Sequence, residues 1–431
     1  MKKLLYTSLL ASSLFSLEFQ PLGYESIGMG GAGVASASGS AAAYYNPALL
    51  AKHRYSVEIG IGAGLGIREI NLVDHIDKLA NDYELTDTMD TVADNAPKSG
   101  SNTASGDNIK MKNAINEIYK LGIGNGLSIM PTAEVGFQIG NFGLAVYGVG
   151  DASARAVIDK QHLYLIFKDK DKGGYYYYWP DDDTYGATDE ETYKKYSLEY
   201  ALDNKLTYIE LGGIAVAEAP ISYAATMDMN GFDLSIGASI KYIEGITYRG
   251  KIKLDTESSD ISDELKNGDK TSTNYGIDLG VLVSCDNFNM GLVGKYLNSP
   301  KFKTIDGYED EKIDPMVRGG VNFSFSDMID FALDVDLTTN KTGIKGYDSQ
   351  YIGGGVNFRP ASWFSLRAGA MRNMVADEEG TVLTAGLGFG LKWIQFDVAA
   401  QASTKTGTFD GNEIPRYVKI NATLISRWGG N

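Results

Sequence analysis

Strict alternation between apolar and polar residues is the feature that most constrains this sequence. In "IDFALDVDLT", residues 329–338, every odd-numbered position is apolar and three even-numbered positions are aspartate. The segment "WIQFDVAAQA" follows a similar pattern. After Leu17 no stretch approaches the ~18 consecutive apolar residues that a transmembrane helix needs. A period of two over about ten residues is what a membrane barrel with one lipid-facing and one lumen-facing side requires.

Fourteen such segments predict an all-β fold, a transmembrane antiparallel β-barrel of about 14 strands. Tight turns, such as Gly140-Asn141 and Asn230-Gly231, alternate with longer connections. An even strand number places both barrel ends on the periplasmic side and the long loops outside the cell. The predicted strands lie near 55–67, 131–139, 142–150, 205–227, 231–249, 273–285, 288–297, 315–325, 329–338, 350–359, 362–372, 381–391, 394–404 and 416–428.

The N-terminus, "MKKLLYTSLLASSLFSLEF", predicts a cleavable signal peptide. Lys2 and Lys3 precede an apolar run that ends at Leu17, and Ser13 or Ser16 would be the last residue removed. Export together with membrane-spanning strands predicts the outer membrane of a Gram-negative bacterium.

Composition excludes several classes of function. A net charge of −16 argues against nucleic-acid binding, and the seven long loops carry all of it. The single cysteine, Cys285, rules out an internal disulfide. His53, His75 and His162 have no Ser/Asp partners in a recognisable arrangement, so no enzyme, catalytic residue or metal site is predicted.

Gly28, Gly30 and Gly33 have the G-x-G-x-x-G spacing of a dinucleotide-binding turn. That spacing binds a pyrophosphate only between a strand and a helix, with an acidic residue about 20 positions later. No strand fits before Gly28, and His53 and Arg54 stand where the acid should be. No nucleotide or other cofactor is therefore predicted.

Charged residues on the inner faces of the strands are expected to balance one another in the lumen. The candidates are Arg318, Asp330, Asp334, Asp336, Arg359, Arg367, Asp397 and Lys419. The last strand ends at the aromatic Trp428, which resembles the signal by which outer-membrane barrels are recognised for insertion.

Two loops carry further patterns. Residues 70–84 and, more weakly, 108–121 have the apolar spacing of amphipathic helices. These helices would form an apolar cradle for a ligand or simply pack together over the barrel mouth. The run "GGYYYYWPDDD" at 173–183 would bind sugars or aromatic compounds by ring stacking, or extend a strand that carries interfacial aromatics.

The stretch "SIGMGGAGVASASGSAAAYYNPALL", residues 26–50, resembles the N-terminal plug of FadL-type outer-membrane transporters. Asn46, Pro47 and Ala48 match the Asn-Pro-Ala motif of that family. In the C-terminal half, "SLRAGAMRN" and "LTAGLGFGLKWIQFDVAAQAS" look closest to the branch of TraF-like plasmid-transfer proteins. Other proteins named TraF have a thioredoxin fold, but this chain has no C-x-x-C, which excludes that redox activity.

The resemblance implies a signal peptide at 1–17, a plug at 18–52 and a barrel at 53–431 with long loops at 68–130 and 151–204. It implies a passive channel for hydrophobic or aromatic molecules, in some relatives with lateral exit through the wall. The alternative is a structural component of a conjugal-transfer or surface apparatus. Expected partners are outer-membrane lipid, an unidentified hydrophobic molecule and the barrel-assembly machinery. The implied plug residues are Gly28, Gly30, Gly31, Gly33, Asn46, Pro47 and Ala48.

Overall fold

Fourteen antiparallel strands form a closed barrel, in which each strand pairs with its neighbours in sequence and the last pairs with the first. The computed structural model describes residues 17–52, 55–95, 106–169, 173–253, 268–391, 393–409 and 411–430. Residues 1–16 of the signal peptide, which is predicted at 1–17, and His53 lie outside these ranges. The predicted fold class and strand number are confirmed.

The barrel strands are numbered β1 to β14 in chain order. They are β1 Tyr55–Ile70, β2 Gly126–Ile139, β3 Phe142–Val157, β4 Tyr208–Asp228, β5 Asp233–Ile252, β6 Asp269–Cys285, β7 Phe288–Lys295, β8 Met316–Ser326, β9 Ile329–Asp336, β10 Tyr351–Ala361, β11 Phe364–Asn373, β12 Thr381–Gly390, β13 Ile394–Ser403 and β14 Tyr417–Gly430. Three short hairpins extend the long connections: Lys301–Phe302 with Glu311–Lys312, Asn340–Lys341 with Asp348–Ser349, and Thr406–Phe409 with Asn412–Pro415.

Alternation along the strands separates an apolar outside from a polar inside. In β9, Phe331 and Leu333 are exposed on the outer surface, whereas Asp330, Asp334 and Asp336 are buried. A closed barrel leaves no unpaired strand edge, so its backbone is satisfied within the hydrocarbon layer. No helix among the described residues is long and apolar enough to cross a membrane.

The wall is taller on one side than on the other. Strands β1 to β6 have 14 to 21 residues, and β7 to β13 have 8 to 11. Since about ten residues cross the membrane, the tall side projects beyond it. The sequence pattern predicts that β1 and β3 end at 67 and 150, whereas they end at Ile70 and Val157. The prediction stops early because the projecting part of a strand needs no apolar outer face.

We call the end with the short turns the inner end and the end with the long loops the outer end. The sequence topology predicts that the inner end faces the periplasm. Exposed aromatic side chains surround the inner end, among them Phe325, Trp363, Trp393 and Trp428. Such a ring suits the membrane interface, where an aromatic side chain meets both lipid and water.

The plug, residues 17–52, precedes β1 and is almost entirely buried. Its helices are short: α1 Tyr24–Gly28, a 3₁₀ turn Gly39–Ala41, α2 Ala42–Tyr45 and a 3₁₀ turn Pro47–Ala51. The small residues of this segment favour turns and close packing over long helices.

Helices cover part of the outer end and form a cap. Helix α3, Leu72–Asp77, continues as a π-helix, Lys78–Asp82, and α5 spans Asp107–Lys120, in agreement with the two predicted amphipathic helices. Helix α4, Leu85–Asn95, was not predicted, although Leu85, Met89 and Val92 have helical spacing and are buried. These helices pack on each other in one apolar core. The simpler of the two alternatives for these loops, mutual packing, therefore describes them.

The tyrosine run lies in a small separate sheet, which we call the outer sheet. Its three strands are Ile166–Lys168, Tyr175–Trp179 and Thr184–Thr188, followed by α6 Glu190–Tyr196 and α7 Leu198–Asp203. The run is thus a strand but not an extension of a barrel strand. The long connection between β3 and β4 leaves it free to form its own sheet.

Candidate functional site

Side chains of the barrel wall bind the plug through its backbone. The Thr384 hydroxyl accepts from Gly30 N and donates to Gly28 O, both at 3.0 Å. The amide of Gln401 donates to Ile27 O at 2.9 Å. Buried backbone groups must find partners, so these bonds replace the secondary structure that the plug lacks.

Asp334 of β9 holds the middle of the plug. One of its oxygens accepts from Gly33 N at 2.7 Å and from Val34 N at 3.0 Å. Arg318 lies 3.3 Å from the same oxygen and donates to Gly31 O at 3.2 Å. This ion pair of the wall therefore binds both N–H and C=O groups of the plug backbone.

The plug glycines stand where no larger residue fits. Gly30 and Gly31 have φ of 68° and 78°, in the left-handed region that favours glycine. A Cβ would crowd or overlap a neighbour at each predicted glycine: Gly386 at Gly28, the Ala370 carbonyl at Gly30, Pro21 at Gly31 and the Tyr45 ring at Gly33. At Gly28 and Gly30 these neighbours belong to the wall, which is itself glycine-rich there, so plug and wall meet backbone to backbone. At Gly31 and Gly33 the neighbours Pro21 and Tyr45 belong to the plug, which folds closely on itself.

Asn46 of the Asn-Pro-Ala motif ties the end of the plug to itself and to the wall. Its side-chain oxygen accepts from Ala48 N at 3.0 Å and so caps the turn that begins at Pro47. Its amide nitrogen donates to Val34 O of the plug at 3.0 Å and to Val281 O of β6 at 3.1 Å. Asn46 and Ala48 are fully buried.

The predicted lumen residues lie on the inner side of the wall. Arg318 pairs with Asp334 and, at 3.4 Å, with Asp336; Arg359 pairs with Asp330, and Arg367 pairs with Asp397. Lys419 differs from expectation: among the described residues it makes no ion pair with an aspartate. It instead lines a small buried cavity together with Glu18 and Arg68. Glu18 comes from the plug, so the strand pattern could not supply this partner.

An aromatic cluster in the plug receives cations from the wall. The Phe19, Tyr44 and Tyr45 rings have centroids 5.4 to 5.6 Å apart. Lys295 Nζ lies 3.4 Å from the Tyr44 centroid and 4.9 Å from that of Phe19, while the Arg318 guanidinium lies 4.5 Å from Phe19. Cations over ring faces are attracted by the ring quadrupole, most strongly when desolvated. The cluster therefore fixes the first part of the plug.

A buried ionic contact joins the start of the plug to an outer loop. Arg68 of β1 lies 2.8 Å from Glu18 and 2.5 Å from Glu379, and it donates to the Tyr351 hydroxyl at 3.0 Å. Tyr351 in turn donates to Glu379 at 2.6 Å. Sequence reasoning missed these residues, because Arg68 and Glu379 were assigned to loops and the partners are far apart in sequence.

Above the plug, a cavity of about 1340 Å³ opens toward the outer end. We call it the outer vestibule. Its apolar lining includes Leu121, Ile123, Ile158, Leu206 and the rings of Tyr119, Tyr208 and Tyr308. Its charged lining comprises seven basic residues and three acidic ones: Lys120, Arg155, Lys160, Lys205, Arg249, Lys251 and Lys345 against Asp159, Glu210 and Glu309. In a chain of net charge −16, this is a local excess of positive charge.

Lys345 is the vestibule lysine most affected by its surroundings. Burial, followed by the nearby Arg155 charge, lowers its pKa below the ordinary lysine value. Arg155 itself pairs with Glu210. The vestibule therefore contains a cation that would gain from a bound anion.

Below the plug, two smaller cavities of about 410 and 340 Å³ adjoin at the inner end. Both are lined by Glu25, Ser38 and Arg359. The two linings also include eleven charged or amide side chains: Lys52, Glu58, Gln138, Asn289, Asn322, Asp327, Asp330, Asn357, Arg367, Gln395 and Arg427. The two ends of the lumen thus differ in character, amphipathic outside and polar inside.

Next to the plug, the pairing of β3 with both of its neighbouring strands is incomplete. Pairing between β2 and β3 skips the Pro131/Gly150 position and the one beside it, and pairing between β3 and β4 skips two positions at Pro220. Proline has no N–H to donate to the ladder. Gln20 of the plug donates to the Gly150 carbonyl at 2.8 Å. A plug side chain therefore occupies an acceptor that β2 leaves unpaired.

In the cap, Glu117 of α5 joins α3. It contacts His75 Nδ1 at 2.7 Å, Lys120 at 2.7 Å and Lys78 at 3.7 Å. Although burial raises its pKa, hydrogen bonds from Lys120 and His75 outweigh this and leave the pKa of Glu117 lowered. Asp74, which also pairs with Lys78, completes a group with metal-ligand geometry. The carboxylates of Asp74 and Glu117 are already bound by lysine ammonium groups. We therefore interpret this group as a clasp, a set of ionic contacts that joins α3 to α5.

Together these features define a plugged β-barrel of the outer-membrane type, closed in the middle and open at both ends to cavities of different polarity. The chain belongs to the family described as "F plasmid transfer operon, TraF, protein", whose model matches residues 43–336. The predicted TraF-like branch is therefore confirmed, as is the plugged fourteen-stranded architecture that the FadL-type resemblance implies.

None of the curated proteins matches the sequence. Solved structures to which the chain is similar include the Pseudomonas putida toluene transporter TodX, at 12% identity and a TM-score of 0.46, with the match covering 96% of this chain and 99% of that chain. The Ralstonia pickettii toluene transporter TbuX has 13% identity and a TM-score of 0.47, covering 95% and 100%. A Pseudomonas aeruginosa FadL homologue has 12% identity and a TM-score of 0.45, covering 96% and 100%.

Proposed function

We propose that this protein is a passive channel that admits small hydrophobic or aromatic molecules, preferentially anionic ones, from outside the cell. The outer vestibule is the observation that carries this proposal. Its volume of about 1340 Å³ lies somewhat above the usual range of small-molecule sites, and its lining combines apolar side chains with a predominantly basic set of charged ones. The excess of lysine and arginine favours a carboxylate on the ligand.

The route from the vestibule is proposed to leave sideways rather than downward. The plug is pinned by wall side chains along its length, and the cavities beneath it are polar, which disfavours an apolar solute. At the level of Gln20, by contrast, the wall between β2 and β3 lacks ladder bonds around Pro131 and Gly150. A hydrophobic molecule leaving there would pass directly into the membrane.

A disulfide across the gap tests this route. In a Cys285→Ser background, Pro131→Cys with Gly150→Cys should block uptake of dodecanoate into cells under oxidising conditions, and a reductant should restore it. The control pair is Leu127→Cys with Ala154→Cys, which are paired residues of the same two strands. Equal uptake by both oxidised variants would refute lateral exit.

The vestibule itself is tested by charge removal. Lys251→Gln with Lys345→Gln should weaken dodecanoate binding more than toluene binding, whereas Lys301→Gln, outside the lining, should change neither. If the double variant binds dodecanoate as well as the unaltered protein does, the proposed substrate class is contradicted.

A structural role in conjugal transfer is the second candidate, favoured by the family match over residues 43–336. Deleting the protein should then reduce transfer of a conjugative plasmid without changing uptake of hydrophobic compounds. The channel proposal expects the opposite pair of results.

A further inference from the structure

The outer sheet carries a concentration of aromatic residues that the channel does not use. Nine of the chain's 27 tyrosines lie between residues 158 and 207, together with Trp179. Side chains alternate across a strand, so Tyr176 and Tyr178 face one side of the sheet while Tyr175, Tyr177 and Trp179 face the other. The two sides have different roles.

The inner side of the outer sheet holds it on the cap. Tyr178 is buried, and its hydroxyl donates to Asp183 at 3.0 Å. Tyr185, on the same side, donates to Val92 O of α4 at 2.9 Å. Tyr178 and Tyr185 pack together with ring centroids 4.9 Å apart. These two rings therefore belong to the apolar core that joins the outer sheet to the cap.

The other side presents rings to solvent. Tyr177 and Trp179 stack with centroids 5.7 Å apart and planes 17° apart. A Cβ at Gly186 would crowd the six-membered ring of Trp179, so the missing side chain lets the indole lie across the neighbouring strand. Trp179 nevertheless keeps 46% of its surface exposed. Its position is fixed while its ring remains accessible.

A second ring pair enlarges this surface. Tyr164 and Tyr196 contact edge to face at 5.6 Å, and Tyr164 is 57% exposed. The backbone N–H of Tyr164 donates to Tyr196 O at 3.1 Å, which fixes the two residues side by side. Tyr164 stands two residues before Ile166, which pairs with Tyr177 in the outer sheet and donates its N–H to Tyr164 O at 3.0 Å. We call Tyr164, Tyr177, Trp179 and Tyr196 the aromatic platform.

We propose that the aromatic platform binds carbohydrate, namely the pyranose rings of polysaccharide at the cell surface. The C–H face of a pyranose is apolar and lies flat on an exposed indole or phenol ring, while its hydroxyls point outward around the edge. Tyr164 and Trp179 are exposed, and the half-buried rings of Tyr177 and Tyr196 hold them in place, which meets the first requirement. Solvent-exposed apolar patches of this kind commonly mark interaction sites.

Acceptors for the hydroxyls stand at the edge of the platform. Asp189 directly follows the strand Thr184–Thr188 of the outer sheet and caps α6, accepting from Thr192 N at 2.7 Å. This backbone bond and the Thr192 side chain lower the pKa of Asp189, which keeps it an anionic acceptor. Thr184 and Thr188 of the outer sheet share the platform's face. Hydrogen bonds to a charged acceptor are stronger than neutral ones.

The position of the platform favours sugar over lipid or channel substrate. The outer sheet belongs to the outer end, beyond the part of the barrel that crosses the membrane, where surface polysaccharide surrounds the protein. None of the four platform residues lines the outer vestibule. The proposal therefore stands independently of the channel function.

Trp179 makes the test direct, because the other three tryptophans, Trp363, Trp393 and Trp428, lie at the inner end. With these three changed to Phe, the fluorescence of purified protein in detergent reports on the platform alone. Cellohexaose, a glucan with flat apolar faces, should shift this emission saturably. Lipid-free polysaccharide released from outer membranes should compete with it.

In the otherwise native chain, Trp179→Ala with Tyr164→Ala should weaken binding of labelled cellohexaose about tenfold or more, the scale of losing ring stacking. Trp393→Ala, an exposed tryptophan at the inner end, is the matched control and should bind normally. Migration of unboiled protein on a denaturing gel verifies that each variant is folded.

Three results would overturn the proposal: no emission shift with either carbohydrate, binding that survives loss of both rings, or a saturable shift with toluene instead of sugar. The last would assign the platform to the aromatic solute.

Discussion

Replacing Asp334 by Ala should unseat the plug without opening the barrel. The substitution removes the acceptor of two buried plug N–H groups, Gly33 and Val34, and one of the partners of Arg318. A hydrogen bond to a charged group contributes about 1.5–3 kcal/mol, so two such bonds amount to about 3–6 kcal/mol. The population of molecules with a displaced plug should then rise by about 10² to 10⁴, at 1.4 kcal/mol per factor of ten.

Conductance across planar bilayers measures this population, because a displaced plug opens an aqueous path. Asp330→Ala is the matched control: Asp330 lies on the same strand and face and is bound by Arg359 and Ser324 of the wall. Both variants should retain heat-modifiable migration, since the ladder closes without the plug. If folded Asp334→Ala protein conducts no more than Asp330→Ala protein, the wall carboxylate does not hold the plug and the reasoning fails.

Three further outcomes are expected. Gly30→Trp should raise conductance with unchanged strand content, as its side chain would overlap the wall at Ala370; unchanged conductance would count against the close contact. Glu117→Gln should speed cleavage of the cap by protease added to whole cells, since it weakens the clasp between α3 and α5; cleavage only in permeabilised cells would invert the topology. Dodecanoate binding should weaken as pH rises toward the lowered pKa of Lys345, because the lysine loses its charge there; a Lys345→Met variant with the same pH profile would refute this.

Local patterns made the barrel predictable from sequence. Alternation as in 329–338 follows from lipid on one side of a strand and lumen on the other, and turn residues such as Gly140 separate the strands. The pairs of Arg318 with Asp334 and Asp336 join residues on adjacent strands, where spacing suffices to suggest contact.

The rest depended on contacts between distant residues. Lys419 was expected to balance an aspartate, but it faces a cavity that the plug residue Glu18 also lines. The sequence pattern around Lys295 does not indicate that its ammonium group lies over the Tyr44 ring. The outer vestibule arises from several loops whose mutual arrangement no single segment encodes. The missed helix α4 is different, because the spacing of Leu85, Met89 and Val92 was present in the sequence.

The span of the plug contacts has a consequence for biosynthesis. Gly33 binds a residue 301 positions later, Gly30 one 354 positions later and Ile27 one 374 positions later. The plug must therefore wait for strands of the C-terminal half of the chain, from β9 to β13, before its contacts can form. Since its partners complete the barrel, we expect plug seating and barrel closure to be one event. A chain lacking β12 to β14 should leave residues 26–34 sensitive to protease, and no stage of maturation should expose an open pore.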